Sequence, residues 1–273
     1  MKRTIPLLAT AAILALSLSA CGSSGGSSGG SAESSASEQS GSALQKVKDA
    51  GVLTVGTEGT YRPFSFHEGS DLTGYDVEVI KAVGEKMGVE VKFQETQWDA
   101  IFAGLDAGRF DVIANQVAIN PEREKKYLFS QPYTVSEGVV VTKSDNTDIT
   151  SFESLKGKKT AQSLTSSFYE AAKAAGATIE PVEGWAQSVT LLKQGRVDAT
   201  VNDKLTFLDA QKTNPDDSIK IAAESEDKSE SAVTLRKGSE DLQEAIDNAL
   251  DELREDGELA SISEKYFGED VSK

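Results

Sequence analysis

Two charged residues at the ends of predicted elements carry most of the chemistry in this sequence, and it is the chemistry of recognising charge rather than breaking bonds. In Ala118-Ile119-Asn120-Pro121-Glu122-Arg123, Asn120 is placed to cap a short helix with Pro121 at its first position, which leaves backbone N–H groups open at the helix start. Arg123 falls in the first turn. A guanidinium beside open amides is a receptor for a carboxylate, held by two charge-assisted hydrogen bonds. The same residue also fits a solvated charge run from Glu122 to Lys126. Asp203 ends a predicted strand and could accept hydrogen bonds from an ammonium group opposite Arg123, so that a zwitterion bridges the two; it could equally do no more than cap the helix of Leu205 and Leu208. Thr165-Ser166-Ser167 precede the helix of Phe168 and offer hydroxyls and helix N-terminal amides to the same carboxylate. Of the aromatics nearby, Tyr61 and Trp98 are assigned to wall the aliphatic part of a ligand, and Phe64 and Phe66 to the core.

The elements that must position these residues alternate. Val52 to Gly56 reads as a strand, and the helix after Gly74 puts Val79, Ile80, Val83 and Met87 on one face. Val89, Val91 and Phe93 alternate with Glu90, Lys92 and Gln94, and Trp98, Ile101, Phe102 and Leu105 recur at i, i+3, i+4 and i+7 up to a Gly108 stop. Asp111 to Ala114 is the next predicted strand, which makes the order that of a parallel α/β sheet. A shift of 87 residues then lays Trp98, Leu105, Gly108, Arg109, Asp111 and Asn115 on Trp185, Leu192, Gly195, Arg196, Asp198 and Asn202. Each copy is a helix, a Gly-Arg turn and a strand with a polar end: Asn115 and Gln116 in one, Asn202 and Asp203 in the other. Two related α/β lobes follow, and since ligands of open sheets sit beyond the carboxyl ends of strands, the predicted site is the cleft between them. Lobe 1 is expected to comprise 44–138 and 233–273, lobe 2 to comprise 139–232, with hinges near Thr134 to Val140 and Ser231 to Leu235. Leu242, Ala245, Ile246, Ala249, Leu250 and Leu253 mark a late helix, and Tyr266 and Phe267 are expected to pack on lobe 1.

Composition removes several function classes. Lys and Arg total 28 against 44 Asp and Glu, a formal charge of −16 over 273 residues, which argues against a surface that neutralises phosphates, so no nucleic acid is expected as a partner. One His and one Cys are too few for a zinc cluster, an intrachain disulfide or a Cys/His nucleophile pair; no metal, no cofactor and no catalytic residue is expected. Lys2 and Arg3 precede an apolar run from Ile5 to Leu18 that closes on Leu18-Ser19-Ala20-Cys21, the pattern of a signal peptide over 1–20, too short to span a bilayer. Residues 22–43 contain ten Ser and six Gly, a flexible tether.

Cys21 in its setting resembles the lipobox of bacterial lipoproteins, whose cysteine is lipidated and becomes the new N-terminus. That resemblance implies a chain tied to the extracytoplasmic face of the cell membrane, with 21–43 as anchor and tether. A second resemblance covers nearly all of 44–273. Glu58-Gly59-Thr60-Tyr61-Arg62-Pro63-Phe64-Ser65-Phe66, Gly74-Tyr75-Asp76, Trp98-Asp99, Pro121-Glu122-Arg123, Phe129-Ser130-Gln131-Pro132-Tyr133, Asn202-Asp203 and Lys265-Tyr266-Phe267-Gly268 together resemble the family 3 bacterial extracellular solute-binding proteins, the polar amino acid receptors of ABC importers. The resemblance implies a two-lobe α/β fold of the type II periplasmic-binding-protein kind, a monomeric receptor, a small-molecule amino acid ligand and a membrane permease as partner. It implies that Arg123 binds the ligand α-carboxylate, Asp203 the α-ammonium and Tyr61 the side chain. Asn115-Gln116-Val117, with Glu58, looks most like the cystine-binding branch, in which Glu58 and Gln116 would read the side chain. The sequence departs from the family at Ala118, where a Ser or Thr hydroxyl is usual and a backbone N–H is left to donate, and at Thr165, where Gly is common. Glutamine, arginine and other polar amino acids stand as alternative ligands, and a small-molecule dehydratase, with Glu58 as its acid, or a sensor as alternative functions on the same scaffold.

Overall fold

A computed structural model of the chain describes residues 41–273. The expected signal peptide, Cys21 and most of the expected tether lie outside the described residues. Its last part is not linker: helix α1 (Ala43–Ala50) starts inside the stretch expected to be tether, with Ser42 Oγ accepting from the Gln45 N–H, Val47 buried and the Leu44 N–H donating to Asp241 Oδ2 at 2.8 Å. Serine caps helices as readily as it loosens linkers, and composition does not tell the two apart.

From there strand β1 (Val52–Thr57) leads into a small antiparallel sheet of β2 (Thr60–Tyr61), β3 (Ser65–Glu68) and β4 (Asp71–Thr73). Helix α2 (Tyr75–Met87), β5 (Glu90–Glu95), α3 (Trp98–Asp106), β6 (Val112–Ile113), the four-residue α4 (Pro121–Glu124) and β7 (Tyr127–Phe129) complete the first run. The chain then crosses into β8 (Thr134–Lys143), β9 (Lys159–Gln162), α5 (Ser167–Ala174), β10 (Thr178–Pro181), α6 (Trp185–Lys193), β11 (Ala199–Asp203), α7 (Lys204–Thr213) and β12 (Ile219–Ser231). It returns through β13 (Thr234–Arg236) to α8 (Glu240–Glu255) and α9 (Glu258–Phe267).

Two five-stranded sheets result, β5-β1-β6-β13-β7 and β10-β9-β11-β8-β12. Position by position they match: the first three strands run parallel, and the fourth is antiparallel to both neighbours. The internal repeat is therefore architectural, and it extends to single hydrogen bonds. Gly108 (φ 69°) and Gly195 (φ 69°) each close a helix in the left-handed region, the Arg109 and Arg196 N–H groups bond back to Gly104 and Leu191, and Asp111 and Asp198 each accept from the strand beside them, at the Thr54 and Lys159 N–H. The two crossings lie side by side, since β8 and β12 pair from Thr134 with Ser231 to Lys143 with Ile219.

One large buried cluster joins Leu53, Val55, Phe64, Tyr75, Ile80 and Val83 to Leu242, Ile246 and Leu250, so the C-terminal helices return to the first sheet. Phe267 packs there at 5.1 Å from the Tyr75 ring. Separate clusters around Val139, Val141 and Leu192 and around Leu155, Ala172 and Val201 line the second sheet. At ~1.5–3 kcal/mol for each large apolar side chain buried, such clusters hold each sheet to its own helices. Gly74 is required where it stands: its φ is 128°, and a Cβ there would lie 2.2 Å from the Phe64 carbonyl oxygen.

Candidate functional site

A cavity of about 490 Å³ opens beyond the carboxyl ends of β1, β6, β9 and β11, and both sheets contribute to its wall. Of the residues proposed from sequence, Glu58, Tyr61, Trp98, Asn115, Gln116, Ser166 and Ser167 line it; Arg123, Asp203 and Ala118 lie outside its wall.

Asn115 is fully buried and organises the floor. Its Oδ1 accepts from the Thr57 hydroxyl and the Glu58 N–H, and its Nδ2 donates to Glu58 Oε2 at 2.6 Å. Burial pushes the Glu58 carboxyl up to about 7, against the hydrogen bond from Asn115, and the charges of Asp99 and Glu183 push the same way as burial. Gln116 departs from its expected part as a side-chain reader. Its backbone φ is 51°, its N–H and Nε2 donate to Asp76 Oδ2 and Oδ1 at 2.7 and 2.6 Å, and Nε2 also reaches the Thr134 hydroxyl. The amide donors are taken inward; the side-chain oxygen is buried without a partner. Asp76, fully buried beneath it, is raised by burial to about 7 despite these bonds.

Arg123 is 9% exposed, so it is not part of a solvated charge run. The Asn120 side chain caps its helix as expected, accepting from the Arg123 N–H at 2.9 Å, which uses an amide that had been assigned to a ligand. The guanidinium donates to the Ala118 carbonyl at 2.8 Å and, across to the second lobe, to the Thr165 carbonyl at 3.0 Å; it lies over the rings of Trp98 and Phe102 at 5.5 and 5.3 Å. No carboxylate among the described residues forms an ion pair with it, and burial lowers it to about 10. Trp98 is thus first a platform for Arg123, with its indole N–H buried and unpartnered. Ala118 contributes its carbonyl to Arg123, and its β-bridge to Ser231 ties it to the crossing strands.

Asp203 does what the simpler reading assigned: it caps α7, accepting from the Leu205 N–H at 2.8 Å, and also accepts the Ser136 hydroxyl at 2.7 Å. It is 6% exposed, and burial raises it to about 6. Ser166 caps α5 through the Tyr169 N–H while lining the cavity, and Thr165, the residue in place of the usual glycine, adopts φ 63°.

One residue was missed, and another was placed at the cleft only as a strand end, with no contact assigned to it. Asn202 faces the cavity and accepts from the Tyr61 hydroxyl at 3.1 Å, a contact from lobe to lobe. Gln162, 2% exposed at the end of β9, lines the cavity with its side-chain nitrogen unpartnered. The strand-end argument that found Asn115 would have found Gln162, but Lys158-Lys159-Thr160-Ala161 lacks the apolar run that announces a strand.

A family model for the bacterial extracellular solute-binding proteins, family 3, matches residues 53–269. The chain is 49% identical over 259 residues to the L-cystine-binding protein TcyA of Bacillus subtilis, covering 94% of each. It is 42% identical to the L-cystine-binding protein TcyJ of Escherichia coli, covering 84% of this chain and 88% of that one. Among solved structures, the L-cystine solute receptor of Neisseria gonorrhoeae in an unliganded open conformation is 48% identical with a TM-score of 0.59, covering 85% of this chain and 100% of that one. An ancestral arginine-binding protein bound to arginine is 37% identical with a TM-score of 0.75, covering 80% and 98%. The open chain is nearer in sequence yet farther in shape, as two alike lobes set at a different angle would be. The hydrogen bonds of Tyr61 with Asn202 and of Arg123 with Thr165 close the cleft here. These relatives are amino acid binding proteins or receptors, and the two sheets are the two lobes of a periplasmic-binding-protein fold. By that match, over most of its length, the chain belongs to the family 3 bacterial extracellular solute-binding proteins, near its cystine-binding members.

Proposed function

We propose that the protein captures a polar amino acid, L-cystine, in the cleft between its lobes and delivers it to the permease of an ABC importer. One observation carries the reading: Arg123 and Asp203 are buried charges of opposite sign, one in each lobe, and each has only neutral hydrogen-bond partners. Buried charges without counter-charges are costly, and a zwitterion spanning the lobes compensates both at once. In this reading the ligand α-carboxylate replaces the Thr165 carbonyl on Arg123, and the α-ammonium is held by Asp203. Tyr61 and Trp98 cover the side chain. The far end of cystine is a second zwitterion, for which Glu58 supplies an acceptor and the unpartnered nitrogens of Gln162 and Trp98 supply donors. The names of TcyA and TcyJ support the same ligand.

Lobe 1 (44–138 and 233–273) and lobe 2 (139–232) move about the paired strands that begin at Thr134 and end at Ser231, the free form being open and the loaded one closed. The closed form docks on the permease. Cys21 carries the lipid, and the Ser/Gly tether holds the lobes at the outer face of the membrane. Glu58 and Glu183 both face the cavity, and this acidic wall favours a second reading, a cationic ligand such as arginine. Titration calorimetry of the purified protein with L-cystine, arginine and glutamine separates the readings. Tight binding of L-cystine alone supports the first, tight binding of arginine alone the second, and binding of neither overturns the assignment.

A further inference from the structure

Beside the cavity, one turn of lobe 1 meets the start of a lobe 2 helix and the strand end before it. Tyr61 and Arg62 are neighbours in the hairpin of β2 and β3. Tyr61 donates to Asn202, and Arg62 Nε donates to Asp209 Oδ2 at 3.3 Å. Leu205, between these two acceptors, belongs to the same buried apolar cluster as Phe64 and Tyr133 of lobe 1. Leu205 and Asp209 stand at i and i+4 on one face of α7, and Asn202 lies just before the helix at the end of β11, so the strand end and the start of α7 together meet the hairpin. Arg62 does not line the ligand cavity. Its guanidinium lies 3.8 Å over the Phe66 ring, which is itself buried, so the side chain is held in reach of Asp209 instead of sampling solvent. Asp209 is 13% exposed and Arg62 42%, an ion pair at the edge of the closed interface.

We propose that Arg62 and Asp209 form a clasp that stabilises the closed cleft and so retains the ligand without touching it. Arg62 is a positioning residue: it acts on the angle between the lobes. The clasp exists only when α7 meets the hairpin, so it favours closure and slows release, while a ligand entering the open cleft meets neither residue. A partly exposed pair of this kind shifts an equilibrium by about two- to fivefold at low salt, and about 1 M salt, with a Debye length of about 3 Å, removes the effect.

Closure is measured first without ligand, so that the outcome does not depend on cystine being the cargo. Paramagnetic relaxation from a nitroxide on an exposed lobe 2 residue, in the Cys21→Ser protein, reports the closed minority on lobe 1 amides. Arg62→Ala and Asp209→Ala should each lower that population two- to fivefold, the double variant no further, and salt should erase the difference. Binding of L-cystine, which rests on the proposed function, should weaken by the same factor in the dissociation rate, with association unchanged. A closed population indifferent to both substitutions, or additive effects in the double variant, overturns the clasp. Wild-type protein that closes as described but does not bind L-cystine overturns the ligand and leaves the clasp standing.

Discussion

Replacing Arg123 with alanine should separate ligand affinity from stability. In the closed structure the guanidinium makes two hydrogen bonds to carbonyls, at 2.8 Å within its own lobe and 3.0 Å across the cleft, and lies over two aromatic rings, with no carboxylate paired to it; in the open free form only the bond within the lobe remains. Alanine strands the Ala118 oxygen, and the Thr165 oxygen only while the cleft is closed, at ~1–3 kcal/mol for each that stays buried, but it also removes a buried charge whose desolvation costs a comparable amount. The two nearly cancel, and a net change of about 1 kcal/mol moves the melting temperature of a protein this size by ~2–4 °C. The complex has no such cancellation. Truncating one partner of a buried, hydrogen-bonded charge pair costs ~2–5 kcal/mol, so affinity should fall about 30-fold to several-thousand-fold. Lysine keeps the charge and loses the planar fork, and should fall between. Calorimetric titration beside differential scanning fluorimetry reads both quantities. Arg123→Ala binding within threefold of wild type, or an affinity loss matched by collapse of the fold, would refute the reasoning.

Other outcomes follow from buried groups. Glu58 and Asp76 are each raised to about 7 by burial, so the native state holds protons that the unfolded chain has released above about pH 4. The ligand-free melting temperature should therefore fall as pH rises from 5 to 8; a rise across that window contradicts the burial of both groups. Affinity should move the opposite way, strengthening as Asp203, raised to about 6, ionises, and titrations in buffers of different ionisation heat at pH 6 should show proton release on binding; zero release would count against Asp203 as the ammonium acceptor. Gln162→Leu discards a buried nitrogen with no partner in the protein. It should leave the melting temperature equal or higher while weakening the ligand about two- to tenfold, the worth of one neutral hydrogen bond, and unchanged binding would remove Gln162 from the site. Gly74→Ala places a Cβ 2.2 Å from the Phe64 carbonyl and should cost at least ~2 kcal/mol in chemical denaturation, because backbone atoms must move and a φ of 128° is strained for alanine; a cost below ~0.5 kcal/mol would mean that the turn relaxes freely.

Periodicity and punctuation told most about the lobes. The helices of Trp98 and Trp185 and their Gly-Arg turns are local patterns, fixed by apolar spacing and by glycine's access to positive φ, and both were legible in a single chain. Helix α1 was hidden by a serine that composition assigns to a linker. The small sheet of β2 to β4 was hidden because strands of two to four residues carry no period. At the site, strand-end polarity pointed to Asn115 and Gln116, and it missed that Asp76, 40 residues upstream, takes the Gln116 amide. Such a bond is set by tertiary packing, which leaves no mark on either segment. For Asp203 the spacing allowed a cap or a ligand group, and the geometry has it capping α7 with its charge still uncompensated.

The central claim is that both charges of an amino acid are needed to close the cleft, and ligand analogues test it without altering the protein. Cystamine keeps the disulfide and ammonium groups of L-cystine but has no carboxylates, and dithiodipropionate keeps the carboxylates without the ammoniums. Calorimetry should show L-cystine binding tightly and each analogue at least about thirtyfold more weakly, the affinity ratio expected when one buried charge is left without its partner (about 2–5 kcal/mol). Either analogue binding as tightly as L-cystine would contradict the clamp between Arg123 and Asp203.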